Sequence, residues 1–280
     1  MKDKIVVITG ATSGIGKSTA VKMASFGSYL VLIVRDLDKG QSVKAEILKG
    51  YPEARIDLVE GDLASLFSVK KAIEQIKSLF PVIDILINNA GGVFEKKILT
   101  ADGLEMGFQV NHLSHFYLTY ELLPYILKSE DARVINLSSE AHRMGKIDFD
   151  NLNTEKKFST WPQYGATKLM NLLFTKALAV KYATQGLVSF AVHPGVVRTG
   201  FGSNNSGLLK FFNKLPFIIS PDEGSKTTVY CATQSLVKLR NGEYYKKSKK
   251  SSSSAVSHDP HVRDKLWEVS LQILQEKGFL

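Results

Sequence analysis

The stretch that decides the fold is IVVITGATSGIGKS, residues 5–18. Its apolar run, Ile5–Thr9, predicts a buried strand, and a segment with helical periodicity follows the spaced glycines. Gly10 lets the chain turn sharply, Gly14 lets backbone N–H groups approach a pyrophosphate, and Gly16 permits close packing of helix on sheet. The positive end of the helix that begins here would face the phosphates. The stretch therefore predicts a strand, turn and helix that bind a dinucleotide.

The same residues admit a second interpretation. From Ala11 to Ser18 the chain nearly matches the phosphate-binding pattern GxxxxGK[ST], with Ala11 in place of the first glycine. A nucleotide triphosphatase of this kind needs an Asp at the end of another strand to hold Mg²⁺, and Asp62 is the candidate. A P-loop-like triphosphatase therefore stays an alternative.

Short β-branched runs recur between longer amphipathic segments along the chain. Most of the runs are continuously apolar, which is typical of strands covered on both faces of a parallel sheet. The alternation predicts an α/β fold with a doubly wound, mostly parallel sheet flanked by helices on both faces. The predicted strands are Ile5–Thr9, Tyr29–Val34, Ile56–Glu60, Ile83–Asn88, Val134–Leu137 and Val188–His193. The predicted helices are Ser18–Ser25, Asp38–Lys49, Leu66–Leu79, Leu104–Leu127, Tyr164–Tyr182 and Asp259–Gln275.

Composition places the chain among ordinary globular proteins. With 280 residues, 44% of them hydrophobic and 22% charged, we expect a single dinucleotide-binding and catalytic domain over residues 1–280. The lone Cys231 excludes an intramolecular disulfide framework. No run approaches the ~18 apolar residues of a membrane span, so we expect a cytoplasmic protein. The net charge of +9 favours anionic partners, but the lysines are scattered, and we predict no nucleic-acid binding.

Two segments stand outside the regular alternation. Residues 246–254, KKSKKSSSS, predict a solvated Lys/Ser-rich loop, with a peripheral contact to anionic lipid as the sharper hypothesis. Residues 200–220 are rich in apolar side chains and predict a substrate lid, with core packing or a membrane-facing patch as alternatives.

The end of the second predicted strand bears on cofactor choice. A carboxylate at this point binds the ribose 2′-OH of NAD, whereas an arginine accommodates the 2′-phosphate of NADP. Here Arg35 comes before Asp36, and bidentate pairing of arginine with phosphate is strong. NADP(H) is therefore favoured over NAD(H). The alternative is that Arg35 is a surface residue and Asp36 binds an unphosphorylated ribose.

The sharpest chemical feature is YGATK, residues 164–168. Tyr164 and Lys168 stand at i and i+4 on one helix face, where the ammonium would favour the phenolate and lower the tyrosine pKa. A phenol tuned in this way can exchange a proton with an alcohol or a carbonyl. Polar residues also follow several predicted strands, at the sheet edge where ligands bind. They are Asp62-Leu63, Asn88–Gly91, Ser138-Ser139 and His193–Gly195.

The sequence resembles the short-chain dehydrogenase/reductase family, which has a Rossmann-type fold. The resemblance lies in the order and combination of TGATSGIG, Asp62-Leu63, NNAG, Asn111, Ser139, YGATK and HPG. The resemblance implies that Tyr164 is the general acid/base and that Lys168 holds the nicotinamide ribose and lowers the tyrosine pKa. It implies that Ser139 orients the substrate carbonyl and that Asn111 anchors a water in the proton relay. Cofactor contacts are then expected at Gly10, Ser13, Gly14, Ile15, Gly16, Arg35, Asp62, Leu63, Asn89, Ala90, Gly91, Tyr164, Lys168, Pro194, Gly195 and Thr199.

Other segments resemble the retinol-dehydrogenase-like branch of that family. They are the long insertion between Ser139 and Tyr164, the ending VRD of strand two, SPDEGSKTTVY and LWEVS. The branch implies NADP(H) and a small hydrophobic substrate, namely a retinoid, a steroid or another lipid-like aldehyde or ketone. Unlike in the membrane-anchored members of the branch, we expect no hydrophobic N-terminal span in this protein. A homodimer is a further hypothesis, since the helices after strands four and five pair between subunits in many members.

Two other classes of function are weighed against this one. His112 and His115 stand at i and i+3, but no third ligand lies at a useful spacing, so no metal site is predicted. A non-catalytic dinucleotide-binding sensor is the remaining alternative. The intact Ser139, Tyr164 and Lys168 favour an enzyme over a sensor.

Overall fold

The computed structural model describes residues 1–197 and 219–280, and within them one eight-stranded sheet organises the chain. The strands are β1 Ile5–Thr9, β2 Tyr29–Val34, β3 Ile56–Glu60, β4 Ile85–Asn88, β5 Arg133–Leu137, β6 Val188–His193, β7 Tyr244–Lys246 and β8 Lys249–Ser251. The strand order is β3-β2-β1-β4-β5-β6-β7-β8, and every neighbouring pair is parallel except β7 and β8. The predicted doubly wound, mostly parallel sheet is confirmed.

Helices cover both faces of the sheet because successive strand residues point to opposite sides. The helices are α1 Gly14–Ser25, α2 Leu37–Gly50, α3 Leu66–Leu79, α4 Met106–Phe108, α5 Ser114–Ile126, α6 Thr160–Tyr182, α7 Pro221–Thr233 and α8 Pro260–Glu276. Val6 belongs to the core cluster that contains residues of α1, α2 and α7, whereas its neighbour Val7 belongs to the cluster that contains residues of α3, α5, α6 and α8.

The long helix predicted over Leu104–Leu127 is broken into three parts. The buried Glu105 side chain accepts hydrogen bonds from the N–H groups of Gly107 and Phe108, so it caps a helix that starts only at Met106. A π-helical turn, Gln109–Leu113, then separates α4 from α5. Single-turn π-helices are frequent at functional sites, and this one contains Asn111.

The Lys/Ser-rich segment differs from the predicted loop. Strands β7 and β8 form an antiparallel hairpin, in which Tyr245 lies opposite Lys250. The two turn residues, Lys247 and Ser248, have φ of 51° and 55°, as a two-residue type I′ turn requires. Strand β8 is the sheet edge, and exposed lysines on an edge discourage pairing with another chain. The polar composition is therefore that of an edge strand.

Helix α8 closes one face of the molecule through an aromatic cluster. The Trp267 ring lies 4.9 Å from that of Phe116 on α5 and 6.1 Å from that of Phe174 on α6, measured between centroids. The homodimer hypothesis relied on these same two helices, which follow β4 and β5. The chain's own α8 covers this part of their surface.

Several sequence expectations fall on undescribed residues. Thr199 and residues 200–218 of the expected lid lie outside the described part of the chain. In residues 1–197 and 219–280, none of the helices combines the length and the apolarity that crossing a bilayer requires.

We expect Trp267→Ala to lower the free energy of unfolding by about 3–5 kcal/mol, because it removes a large buried ring from a packed cluster. Urea denaturation measures this loss. Val237→Ala is the matched control, since Val237 is 95% exposed and its truncation should change stability by under about 0.5 kcal/mol. A loss for Trp267→Ala as small as the control's would contradict the assignment of α8 to the folded core.

Candidate active site

The candidate site lies at the carboxyl ends of β1 and β4, which are adjacent in the sheet. From β1 the chain proceeds to β2 and β3 on one side, and β4, β5 and β6 follow on the other. Such a reversal of strand order opens a crevice at the carboxyl edge, where ligands bind in doubly wound sheets. Most of the sequence-predicted site residues converge at this edge.

The glycine-rich turn after β1 is held by a side chain from the end of β4. Asn89 Nδ2 donates to the carbonyl oxygens of Thr9 and Gly10, at 2.8 and 3.2 Å. Gly10 has a φ of 68°, and a Cβ at Gly16 would overlap the Gly10 carbonyl oxygen. No side-chain bond from Ser13 caps α1. The turn is therefore open to a ligand yet tolerates no side chain at these two glycines.

The residues after Asn89 continue this cradle. Gly91 lies so close to the catalytic candidates that a Cβ there would be 2.9 Å from Asn111 Oδ1 and 3.3 Å from Lys168 Nζ. Further along the edge, Gly195 after β6 has a φ of 96°, and a Cβ there would lie 2.6 Å from Ile219 Cδ1. Pro194 is half-buried beside it. These glycines keep space at the mouth of the crevice.

The end of β2 assigns different tasks to Arg35 and Asp36. Asp36 Oδ1 accepts the backbone N–H of Lys39 at 3.0 Å, and its other oxygen pairs with Lys39 Nζ at 2.9 Å. These hydrogen bonds hold the pKa of Asp36 below its ordinary value. Arg35 is exposed and makes no ion pair with the described residues. The Asp36 carboxylate thus binds Lys39 of helix α2, whereas the exposed Arg35 guanidinium is available to a ligand at this end of the crevice.

The P-loop alternative finds no support at Lys17. A P-loop lysine must reach the phosphates over its own turn. Here Lys17 Nζ pairs with Glu46 Oε2 on α2 at 2.5 Å. The candidate Mg²⁺ ligand, Asp62, has Oδ1 hydrogen-bonded to the backbone N–H of Ala64 at 3.0 Å.

Leu63 is buried, and its carbonyl accepts the Ser114 hydroxyl at 2.7 Å.

The catalytic candidates meet where β5 and α6 face each other. The Ser139 side chain acts on the Tyr164 hydroxyl and lowers its pKa, and Lys168 Nζ lies 5.6 Å from the centroid of the Tyr164 ring. Lys168 Nζ donates to the Leu137 carbonyl at 3.1 Å. Ser138 points elsewhere, since its buried hydroxyl donates to the Lys168 carbonyl. The structure therefore separates the two adjacent serines and brings Ser139 to the tyrosine.

The tyrosine differs electrostatically from the expectation. Burial raises the pKa of Tyr164 above its ordinary value of 10.0, and the hydrogen bond with Ser139 only partly opposes this shift. Burial also lowers the pKa of Lys168 to about 8. The net shift is therefore opposite to the expected one, while the contribution of Lys168 to the tyrosine pKa stays a prediction. The ammonium is itself desolvated and bonded to Leu137, so desolvation of the phenolate dominates.

Asn111 uses its side chain to join two elements. Its Oδ1 accepts the Gly92 N–H at 2.7 Å, while Nδ2 donates to the Gly92 carbonyl and to Thr167 Oγ1. Thr167 in turn donates to the Tyr164 carbonyl. The amide thereby ties the loop after β4 to helix α6. Any interaction of Asn111 with a relay water is then left chiefly to its backbone carbonyl.

A buried polar layer beneath the site was missed from the sequence. Asn88 and Asn136 are paired across β4 and β5, and Asn88 Nδ2 donates to Asn136 Oδ1 at 2.8 Å. Asn136 Nδ2 donates to Thr175, and Asn171 Nδ2 donates to the Leu137 carbonyl that also holds Lys168. An asparagine within each of two apolar strands was the signal that could have revealed it. The layer fixes the strand end from which Lys168 is positioned.

The turn that follows Ser139 was also missed as a structural element. His142 is fully buried, and its Nδ1 donates to the Ser139 carbonyl at 2.6 Å while its Nε2 accepts the Ser254 N–H at 3.1 Å. Each ring nitrogen thus has one role, which requires a neutral imidazole. Burial lowers the pKa of His142 below its ordinary 6.5. His142 therefore braces Ser139 against the end of the Lys/Ser-rich segment.

The adjacent carboxylate makes a second link to the same segment. Glu140 Oε1 accepts the Tyr244 hydroxyl at 2.7 Å, and Oε2 pairs with Lys246 Nζ at 3.2 Å. Although burial opposes ionisation, these partners together with Arg143 lower the pKa of Glu140 to about 2. No local pattern could have indicated these contacts, because about a hundred residues separate Glu140 from its partners.

A small cavity opens beside the tyrosine. Its walls include Phe94, Phe158 and Tyr164 together with the buried carboxylate of Glu105. Glu105 Oε2 accepts the side-chain N–H of Gln163 at 2.6 Å. The described residues contain no cluster of three His, Cys, Asp or Glu side chains that could hold a metal ion.

Comparisons with known proteins agree with this geometry. A family model described as short chain dehydrogenase matches residues 4–207. Retinol dehydrogenase 12 of Mus musculus is 38% identical over 273 residues, which cover 97% of this chain and 86% of the relative. An uncharacterised protein from Mycobacterium paratuberculosis has a TM-score of 0.78 at 30% identity, covering 98% of this chain and 94% of its own. NADPH-bound carbonyl reductase from chicken fatty liver shares the fold, with a TM-score of 0.67 at 20% identity, covering 90% and 100%.

The brace at His142 predicts a pH-dependent contribution to stability. A histidine whose folded pKa is depressed contributes stability that is present above its unfolded pKa of 6.5 and is lost as the pH falls through the folded pKa. We expect the stability difference between wild type and His142→Gln to be largest near about pH 8 and to shrink toward about pH 5. Urea midpoints at both pH values measure it.

His261→Gln is the matched control for this comparison, because His261 is exposed at the start of α8. It should follow the wild type in parallel at both pH values. A His142→Gln difference that stayed constant with pH would contradict the neutral brace.

Proposed function

The chain belongs to the short-chain dehydrogenase family, in its retinol-dehydrogenase-like branch, and we propose that it moves a hydride between NADP(H) and a hydrophobic alcohol or carbonyl. The single observation that carries the proposal is the meeting of the Ser139 and Tyr164 hydroxyls beside Lys168 at the mouth of the dinucleotide crevice. A non-catalytic sensor would have no use for this constellation.

The residues present suit a nicotinamide dinucleotide. The glycine turn leaves backbone N–H groups and the start of α1 facing the crevice, as a pyrophosphate requires. Ser13, Gly14 and Ile15 would hold the phosphates. The remaining contacts would come from residues after β3, β4 and β6 and from the first turns of α6, namely Asp62, Leu63, Asn89, Ala90, Gly91, Pro194, Gly195, Tyr164 and Lys168. The fit rests on space that the glycines keep free, since a Cβ at Gly91 would fill the approach to Lys168.

NADP(H) is the favoured form of the cofactor. A free ribose 2′-OH would need a carboxylate acceptor, whereas Lys39 holds both oxygens of Asp36 at the start of α2. Arg35 is exposed beside it and can pair with a phosphate in a bidentate manner. The carbonyl reductase from chicken fatty liver, which shares the fold, is NADPH-bound. These observations support NADP(H) over NAD(H).

The chain's own residues supply acid catalysis and orientation. When bound, the nicotinamide supplies the hydride in the reductive direction and accepts it in the oxidative one. The Ser139 hydroxyl orients the substrate oxygen, and Tyr164 donates its proton to that oxygen during reduction. The phenol, whose pKa burial raises, is protonated at neutral pH and so holds the proton that reduction requires. The proton is then resupplied through Lys168 and a water that the Asn111 carbonyl anchors.

The proposed substrates are retinoids, steroids or other lipid-like aldehydes and ketones. Phe94 and Phe158 line the cavity beside Tyr164, and aromatic walls favour an apolar ligand. The mouse relative is named a retinol dehydrogenase, which supports the same substrate class. A panel of retinal, steroid ketones and aliphatic aldehydes with NADPH would identify the preferred member.

We expect Tyr164→Phe to lower kcat by about 10²–10⁴-fold, because it removes the proton donor and keeps the ring. NADPH fluorescence titration should show nearly unchanged affinity. Tyr51→Phe is the control, since Tyr51 is exposed at the end of α2, far from the crevice. Full turnover by Tyr164→Phe would remove Tyr164 from the proposed role.

We expect Arg35→Ala to weaken NADPH binding about tenfold or more, because a charge-assisted pair with the 2′-phosphate is lost. NADH binding should change by less than about twofold. Lys49→Ala removes an exposed positive charge from the other end of α2 and controls for the general field. If Arg35→Ala weakened NADPH and NADH binding equally, Arg35 would not be the residue that distinguishes them.

A further inference from the structure

A buried histidine that the mechanism does not use connects the glycine turn to Asn111. His115 on α5 is 1% exposed, and its Nε2 lies 2.9 Å from Thr9 Oγ1, at the end of β1. Its Nδ1 lies 3.3 Å from the Asn111 carbonyl oxygen. Thr9 directly precedes Gly10, so one imidazole contacts both the strand end that begins the turn and the carbonyl of the π-helical turn.

The proton positions along this link follow from counting donors. Thr9 Oγ1 already accepts the backbone N–H groups of Asn89 and Ala90, at 2.9 and 3.0 Å. A hydroxyl oxygen has two acceptor lone pairs, so its own hydrogen must point to His115 Nε2. The imidazole therefore accepts at Nε2, carries its hydrogen on Nδ1 and donates to Asn111. The order runs from the Asn89 amide through Thr9 and His115 to the Asn111 carbonyl.

The surroundings keep this imidazole neutral. Burial is the main cause that lowers the pKa of His115 to about 3, and the nearby Lys168 and His112 act in the same direction. The hydrogen bond to Asn111 opposes them only in part. A cation would also need two acceptors, and Thr9 Oγ1 has no lone pair left. The link is thus a fixed hydrogen-bond path over the physiological pH range.

We propose that His115 is a positioning residue that couples the glycine turn to the Asn111 carbonyl. It keeps the cofactor-binding turn and the proton relay in a fixed position relative to each other. The inference deepens the proposed function and rests on it for the role of the Asn111 carbonyl. A shift of the turn moves Thr9, and the imidazole passes that shift to the carbonyl. Small misplacements of this kind cost roughly tenfold to a hundredfold in rate.

Two substitutions of His115, each of which keeps one polar position of the imidazole, test the two ends of the link separately. His115→Gln keeps an acceptor that reaches Thr9 but loses the donor to Asn111. His115→Asn keeps a donor near the position of Nδ1 but loses the contact with Thr9. We expect the Gln variant to keep the wild-type Kd for NADPH, lower kcat at least about tenfold and shift the pH profile of kcat. We expect the Asn variant to keep that pH profile and to weaken NADPH binding.

Thr9 offers the matching pair of variants at the other end of the link. Thr9→Ser keeps the hydroxyl and should retain nearly the wild-type kcat and Kd for NADPH, whereas Thr9→Val should weaken NADPH binding as His115→Asn does. Urea midpoints verify that each variant is folded. Parallel changes of kcat and Kd in both His115 variants, with an unmoved pH profile, would show mere packing and overturn the proposal. Unchanged values in both would overturn it as well.

A second measurement separates this inference from the proposed function. In protein labelled with ¹⁵N-histidine, the NMR spectrum of His115 should show a neutral ring with its hydrogen on Nδ1 between about pH 5 and 8. A hydrogen on Nε2, or a cationic ring, would overturn the link even in an active enzyme. Absence of NADPH-dependent turnover in the wild type would overturn the proposed function, while the tautomer and the binding changes at Thr9 would still decide whether the link exists.

Discussion

The site depends on the hydrogen bonds that fasten the end of β1 to the end of β4. Asn89 supplies side-chain donors to two carbonyls of the glycine turn, and Thr9 accepts two backbone N–H groups in return. β1 and β4 are adjacent where the strand order reverses, and no loop joins their ends directly. The reciprocal bonds satisfy buried backbone groups that would otherwise cost free energy, and they give the turn one shape. The crevice is therefore a property of two strand ends together.

Polar groups inside the protein extend that constraint to the catalytic side chains. Asn88, Asn136 and Asn171 lie among apolar residues, yet each amide nitrogen has at least one acceptor in a neighbouring element. Because an unpaired amide in this environment is costly, such a network admits few alternative arrangements. It ends at the Leu137 carbonyl, where Lys168 is held. The position of Lys168 is thus determined from β4 through β5 as well as from its own helix.

Much of the fold could be predicted because burial and chain order act locally. Continuous apolar runs gave the bounds of β1, β2 and β6, the mixed run Ile56–Glu60 gave those of β3, and spaced glycines gave the turn. The hairpin of β7 and β8 escaped because an edge strand needs polar residues and is only three residues long. The links of Glu140 and His142 to the end of the chain escaped for another reason. They join residues far apart in sequence, and periodicity carries no information on such contacts.

The electrostatic state of Tyr164 shows where spacing alone was insufficient. The i, i+4 pattern correctly places an ammonium near the phenol, but it says nothing about solvent. Burial penalises the phenolate and the ammonium alike, which raises the pKa of Tyr164 and lowers that of Lys168 to about 8. At neutral pH the pair then holds a neutral phenol beside a mostly charged amine. This is the state from which a carbonyl reduction starts, since the proton to be delivered is already on the tyrosine. Alcohol oxidation starts from the phenolate, so it requires additional positive charge near the tyrosine or a higher pH.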